Sequence, residues 1–338
     1  MLEHKIIVAG CGGMSNTWLD YLEKRDNAKI VALVDLYVET AQAMNEKRNW
    51  NVPIFSDLSQ AIKETDADLV FDITIPSSHK QIVTTALEAG CHVFGEKPMT
   101  ENMEDARELI RISEKTGKQY SVMQNRRYLK QIRGFSDFVK GGSIGKLGSL
   151  YADFFIGAHF GGFRDVMDSP LILDMAIHTF DQARLISGAD PVSVYCHEFN
   201  PEGSWYKGNA SAICIFEMSN GSVFSYRGSW CSEGFNTSWE SNWRAIGEKG
   251  TILWDGVTPP ICEVIDESKE KGFIHSTKKI PIPCDWSHQE GHWGCIDEMF
   301  SAIEEKRLAE TDCRDNIKSM AMVFGAIESA KTGQKVML

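Results

Sequence analysis

"KIIVAGCGGMSNTW", residues 5–18, decides how the chain is read. An apolar run ends at Gly10, and beyond Gly12 and Gly13 the spacing becomes helical. Strand, glycine turn and helix, in that order, is the context in which a glycine loop holds a dinucleotide. Such a loop needs backbone that turns tightly and admits a pyrophosphate to a helix N-terminus, where unpaired N–H groups and the helix dipole attract anions. A second signal agrees: Asp35 closes the next apolar run, "KIVALVD", 20 residues beyond Ser15, placed for the hydroxyls of an adenosine ribose. Leu36 and Tyr37 follow it, with no base to neutralise a 2′-phosphate, so NAD is preferred over NADP. Ser15 stands where the fingerprint has its third glycine, which predicts a helix set slightly further from the strand. The alternative is a glycine turn that merely joins strand to helix.

Outward from this stretch the first third of the chain repeats one rhythm. "KIVALVD", "ADLVFDITI" and "HVFGE" are near-continuous apolar runs, as in parallel strands covered on both faces. Helical patterns at 14–25, 38–47, 58–63, 79–88 and 103–115 separate them, and "KQYSVMQNRR" adds another strand. This is a doubly wound α/β sheet, assigned to residues 1–125. After "KGGSIGKLGS" the period becomes two, and "SAICIFEMSNGSVFSYRGSW" carries Asn220-Gly221 between two alternating runs, a hairpin signal. A second, mostly antiparallel α+β domain is assigned to residues 126–338, with late helical patterns at 295–306 and 316–331.

Composition bounds the function. The 338 residues include 35 Lys and Arg against 47 Asp and Glu, and the net charge of -12 argues against nucleic acid or an anionic membrane as partner. No apolar run has the ~20 residues of a membrane span, and "MLEHKIIVAG" reads as entry into a strand, which predicts a cytoplasmic protein. Nine cysteines without a CxxC pair write neither a disulfide framework nor a zinc site, and read as reduced, buried small hydrophobes. "HQEGH" at 288–292 is not HExxH, so no metal is assigned. Seven of the nine tryptophans lie beyond residue 200; their faces suit the C–H-rich face of a carbohydrate, but for most of them the core or a subunit interface is the plainer reading, and they predict a homo-oligomer joined through a sheet face.

"MDSPLILDMAIHTFDQARLISG", residues 167–188, predicts a helix capped by Ser169, begun by Pro170 and apolar almost all round, hence buried. Asp174, His178 and Asp181 interrupt it at i, i+4 and i+7, which puts them on one face. Three buried ionisable groups must pair with each other or line a wet cleft. A core histidine satisfied by a neighbouring aspartate is the plainer reading.

Together these segments resemble the glucose-fructose oxidoreductase and inositol dehydrogenase (Gfo/Idh/MocA) family. The resemblance runs through the glycine loop, "IPSSHKQIVTTALEAGCHVFGEKP" (75–98), "QNRR" (124–127), "GGSIGKLG" (141–148), the DxxxHxxD pattern at Asp174, His178 and Asp181, "RAIGEKGTI" and "ESAKTGQKV". It implies a Rossmann domain, a second domain with an open-faced sheet, and NAD(P)-linked oxidation of sugars, polyols or their derivatives. It places the catalytic lysine on Lys97, and the acid and histidine on Asp174 and His178. On the cofactor side fall Gly10, Gly12, Gly13, Met14, Asp35, Pro76, His79, Glu96 and Lys97. Arg127 and His292 join Lys97, Asp174 and His178 as substrate-binding candidates, although a structural ion pair suits Arg127 equally. Asp181 reads as a hydrogen-bonding partner, not a reactant. "SPLIL" replaces the glycine-rich approach usual before the DxxxH helix, a departure that bears on the substrate pocket.

Chemically, a lysine at the carboxyl end of a parallel strand is where ligands of open α/β sheets bind. Its cation favours an alkoxide. An imidazole, with a reference pKa of about 6.5, suits removal of a hydroxyl proton near neutral pH. Two other functions use the same fold: a glycosidase that oxidises its substrate transiently on NAD, and a non-catalytic sugar or nucleotide sensor.

Overall fold

In the computed structural model, which describes residues 3–338, the opening stretch forms the middle of a six-stranded parallel sheet. Met1 and Leu2, the start of "MLEHKIIVAG", lie outside the described residues. Strands β1 (His4–Ala9), β2 (Ala28–Val34), β3 (Ile54–Phe55), β4 (Leu69–Asp72), β5 (His92–Gly95) and β6 (Tyr120–Val122) alternate with helices α1 (Ser15–Leu22), α2 (Val38–Lys47), α3 (Leu58–Thr65), α4 (Pro76–Glu88) and α5 (Met103–Thr116). The strand order β3-β2-β1-β4-β5-β6 is that of the doubly wound dinucleotide-binding fold. Ile6, Ile7, Val8, Val70 and Phe71 have no exposed surface, which explains why these strands read as unbroken apolar runs.

The second sheet has nine strands, in the order β14-β13-β12-β11-β7-β10-β9-β8-β15. After α6 (Lys130–Lys140) come β7 (Leu147–Phe155), a π-helical turn at Leu171–Ala176, and α7 (Ile177–Ser187). Then follow β8 (Pro191–Phe199), β9 (Ser211–Met218), β10 (Val223–Ser229), β11 (Asn242–Gly247), β12 (Gly250–Trp254), β13 (Ile261–Ile265) and β14 (Thr277–Pro281). Helices α8 (Gly291–Glu304) and α9 (Cys313–Thr332) and strand β15 (Val336–Met337) end the chain. All pairs in this sheet are antiparallel except β7 with β10. The Asn220-Gly221 turn closes β9 onto β10, with Gly221 at φ +83°.

One face of this sheet is covered and the other is not. Phe180 of the wholly buried α7 packs against Phe216, Phe224 and Tyr226, with ring centroids 4.9, 6.3 and 5.3 Å away. On the opposite face the row aligned across the strands from Ile261 to Tyr195 exposes Ile261, Leu253, Tyr151, Ile215 and Tyr195, with Arg244 standing between Leu253 and Tyr151 and Ser225 between Tyr151 and Ile215. Of the late tryptophans, Trp230, Trp243 and Trp254 are buried, while Trp239 is exposed.

The chain forms two compact units. One runs up to Asn125 and includes Gln289–Ile317; the other comprises Arg126–His288 and Lys318–Leu338. Residues 289–317, which the sequence reading left with the later domain, group with the first. The reason is aromatic: Phe300 of α8 meets Phe71 and Phe94 of the parallel sheet at 6.2 and 5.2 Å. No helix among the described residues is long and apolar enough to cross a membrane.

Candidate functional site

In the first unit the site is built from backbone. Gly10 leaves β1 with φ +89°, and a Cβ there would lie 2.5 Å from the carbonyl oxygen of Ile73. Only glycine tolerates both conditions. A Cβ on Gly12 or Gly13 would meet nothing within 4 Å, so these residues face open space. Helix α1 begins without a side-chain cap at Met14. Ser15 is fully buried and its hydroxyl donates to the Gly12 carbonyl at 2.5 Å, so the serine in the third glycine position ties the loop to the helix.

Asp35 stands at the edge of this loop. Its carboxylate accepts from the backbone N–H of Cys11 at 2.8 Å and of Tyr37 at 2.9 Å. Burial, aided by the Asp35 charge, pushes the Cys11 thiol up to about 12, so it stays a thiol. An open cleft of about 410 Å³ lies alongside, with Gly10, Gly12, Asp35, Leu36, Thr74 and Ser78 in its lining. That volume is within the usual range for small-molecule sites. Asp35 and Asp57 line the cleft, and no lysine, arginine or histidine does. Nucleotide chemistry fits these features: room where a Cβ would intrude, an uncapped helix start and a braced carboxylate.

The remaining cofactor-side candidates lie on segments leaving β4 and β5. Pro76 opens α4 at its first turn. His79 is fully buried between two carbonyls, with Nδ1 2.9 Å from the oxygen of Pro98 and Nε2 3.1 Å from that of Thr74. The ring thus couples the segment after β4 to the segment after β5. Glu96 accepts from the Trp18 indole at 2.8 Å and from its neighbour's backbone N–H, Lys97, at 3.3 Å. Strand β5 ends at Gly95, two residues before Lys97, and the Lys97–Pro98 peptide is cis, which the sequence did not announce. His292 lies on the first turn of α8 with Nδ1 3.3 Å from Nδ2 of Asn125; His288 precedes the helix, so the two histidines of "HQEGH" do not form a helical i, i+4 pair.

In the second unit side chains build the candidate site. The π turn at Leu171–Ala176 replaces the single α-helix expected there, and Ser169 does not cap it. Its hydroxyl donates instead to Glu198 at 3.0 Å. Burial holds Glu198 up at about 7, with the Ser169 hydrogen bond and Lys331 opposing. Asp174 and Asp181 have different arginine partners. Asp174 accepts from Arg164 Nε at 2.6 Å. Asp181, 1% exposed, accepts from Arg127 Nε at 2.6 Å, Arg127 Nη2 at 2.7 Å and the Ser319 hydroxyl at 2.8 Å. Arg127 is therefore a member of a buried ion pair. His178, one residue into α7, is buried.

Sequence reasoning missed two arginines. Arg164 follows the Gly161-Gly162 pair, a signal that a loop places it deliberately. Arg126 donates to the Trp239 carbonyl, lies 3.7 Å from both the Met175 sulfur and Glu240, and so holds the 233–241 loop against the π turn. Glu240 in turn accepts from Gln182 at 2.7 Å, and burial raises its pKa.

With that geometry in hand, the likenesses to known proteins become interpretable. Residues 4–124 match the family model described as oxidoreductase family, NAD-binding Rossmann fold, and residues 132–253 match the GFO/IDH/MocA C-terminal domain. The uncharacterized protein y4oX of Sinorhizobium fredii is 25% identical over 99% of this chain and 96% of its own. The myo-inositol 2-dehydrogenase of Thermotoga maritima is 24% identical over 79% of this chain and 80% of its own. Among solved structures, an oxidoreductase from Agrobacterium radiobacter in complex with NAD+, L-tartaric acid and magnesium superposes with a TM-score of 0.86. It is 20% identical, and the match covers 99% of this chain and 98% of that one.

Proposed function

The chain belongs to the GFO/IDH/MocA oxidoreductase family, and we propose that within it the protein is an NAD-dependent dehydrogenase acting on a secondary alcohol of a sugar, polyol or sugar derivative. The nucleotide cleft carries this reading: a glycine turn closed to a Cβ at Gly10 and open to a ligand beside Gly12 and Gly13, and a carboxylate braced by two backbone N–H groups. NAD over NADP is supported by a lining that offers Asp35 and Asp57 and no base to a 2′-phosphate.

When bound, NAD supplies the acceptor for a hydride. The family pattern assigns the remaining work to this chain's own groups. Lys97 hydrogen-bonds the reacting oxygen through Nζ and stabilises negative charge developing there. His178 takes the hydroxyl proton on its ring. Asp174 orients that imidazole or holds a neighbouring hydroxyl. Arg127, engaged by Asp181, supports the fold around the pocket.

The test is NADH absorbance across a panel of sugars and polyols, myo-inositol among them, offered with NAD+ or NADP+. Net NADH from at least one member is expected, with NAD+ favoured. Cleavage of a glycoside without net NADH would replace the reading by transient oxidation. Binding of NAD+ without any turnover would point to a sensor.

The reading includes a homo-oligomer. Its support is the uncovered sheet face, where Ile261, Leu253, Tyr151, Ile215 and Tyr195 are exposed around Arg244 and Ser225, side chains a subunit interface would cover. Ile215→Asp should shift the species seen by light scattering to a monomer, and an unchanged mass would remove that face from the interface.

A further inference from the structure

Arg164 reaches Asp174 from the loop that joins β7 to the π turn. Gly161 and Gly162 both sit at positive φ, +71° and +72°, and the short 3-10 turn Gly162–Val166 follows. This double turn brings Phe160 and Phe163 against the guanidinium, with its carbon 5.2 and 4.6 Å from their ring centroids. Both rings remain largely exposed, at 54% and 59%. Exposed aromatics that spend a face on one arginine restrict its swing.

The base of the loop is pinned separately. Lys207 N–H donates to the Asp165 carbonyl and Asn209 N–H to the Asp168 carbonyl, both at 2.8 Å. A Cβ on Gly208 would lie 2.2 Å from the carbonyl oxygens of Met167 and Asp168, so the two segments touch backbone to backbone. Arg164 thus projects from a fixed base, and its Nε meets Asp174 Oδ2 at 2.6 Å. Asp174 itself stands in a π turn, where the backbone departs from the regular α-helical ladder.

We infer that Arg164 is a positioning residue for Asp174, the loop 160–168 setting the aim of that carboxylate in the reaction. The inference rests on the dehydrogenase reading for Asp174's part in the chemistry. A carboxylate displaced by about 1 Å costs a reaction of this kind ~10²-fold. The effect should therefore be on turnover rather than on substrate binding.

The experiment uses the full chain with NAD+ and the panel member giving most NADH, myo-inositol being the first probe. Arg164→Met should lower kcat about 10²-fold and change KM less than ~3-fold. Arg164→Lys should recover part of the loss, and methylguanidinium should rescue Arg164→Ala. In an Asp174→Asn background, Arg164→Met should add less than about twofold, because the two act through one contact. Unchanged kcat in Arg164→Met, or losses that multiply in the double variant, overturn the inference. Amide exchange needs no substrate: protection across 171–178 should fall in Arg164→Met, and identical protection overturns the brace. If wild type yields no NADH from any member while that protection does fall, the dehydrogenase reading fails and the brace stands.

Discussion

The nucleotide cleft and the helix at 171–187 are two ways of making a site. In the cleft, the working groups are peptide units: the turn at Gly10, and the N–H groups of Cys11 and Tyr37 on one carboxylate. In the helix they are side chains matched by groups on other segments. Asp174 pairs with Arg164, and Asp181 pairs with Arg127 and Ser319, 54 and 138 residues away. A backbone site is specified by where a Cβ cannot be. A side-chain site is specified by charges that must be matched once buried, and it fails when one partner is removed.

That contrast is tested most sharply at Lys97. Lys97→Met should cut kcat by about 10³-fold or more while changing NAD+ affinity, measured by calorimetry, less than ~3-fold. Loss of NAD+ affinity to the same degree would make the lysine part of the cleft and blur the distinction.

Next in size is the buried pair. Arg127→Met leaves the Asp181 carboxylate enclosed with one partner fewer, which should cost about 3–5 kcal/mol in urea unfolding. Arg127→Met with Asp181→Leu should recover most of it, since apolar replacement of both partners is near neutral. A single variant as stable as wild type would show that the pair is not needed by the second unit.

The smallest effect concerns Glu198. Its folded value, held up at about 7 by burial, lies above its ordinary 4.5. The folded state therefore binds the proton more tightly, and the associated stability is full below about 4.5 and lost as pH rises through about 7. Wild type should lose more thermal stability between pH 5 and pH 8 than Glu198→Gln, read as the difference in melting temperature. Equal losses would place the carboxyl in water.

The parallel sheet was legible because its strands are covered on both faces, and unbroken runs such as Val70-Phe71 record that cover directly. The hairpin at Asn220-Gly221 was legible because its turn chemistry is local. The two-residue β3 carries too few residues for a period. The π turn at Leu171–Ala176 was hidden as well, since its sequence fits an α-helix equally and the two differ in backbone hydrogen bonding, which no residue pattern there records. The sequence leaves Arg127 open between substrate and ion pair, and its ion-pair partner Asp181 lies on another segment, 54 residues away.

By itself the sequence determined the strand and helix order, the place of the glycine turn and the carboxylate at Asp35, because short-range sterics and period are written in adjacent residues. Only the tertiary structure decided which arginine meets which aspartate, that α8 packs on the parallel sheet, and which sheet face stays bare. Those outcomes depend on burial and charge matching between segments far apart in the chain, and no local pattern encodes them.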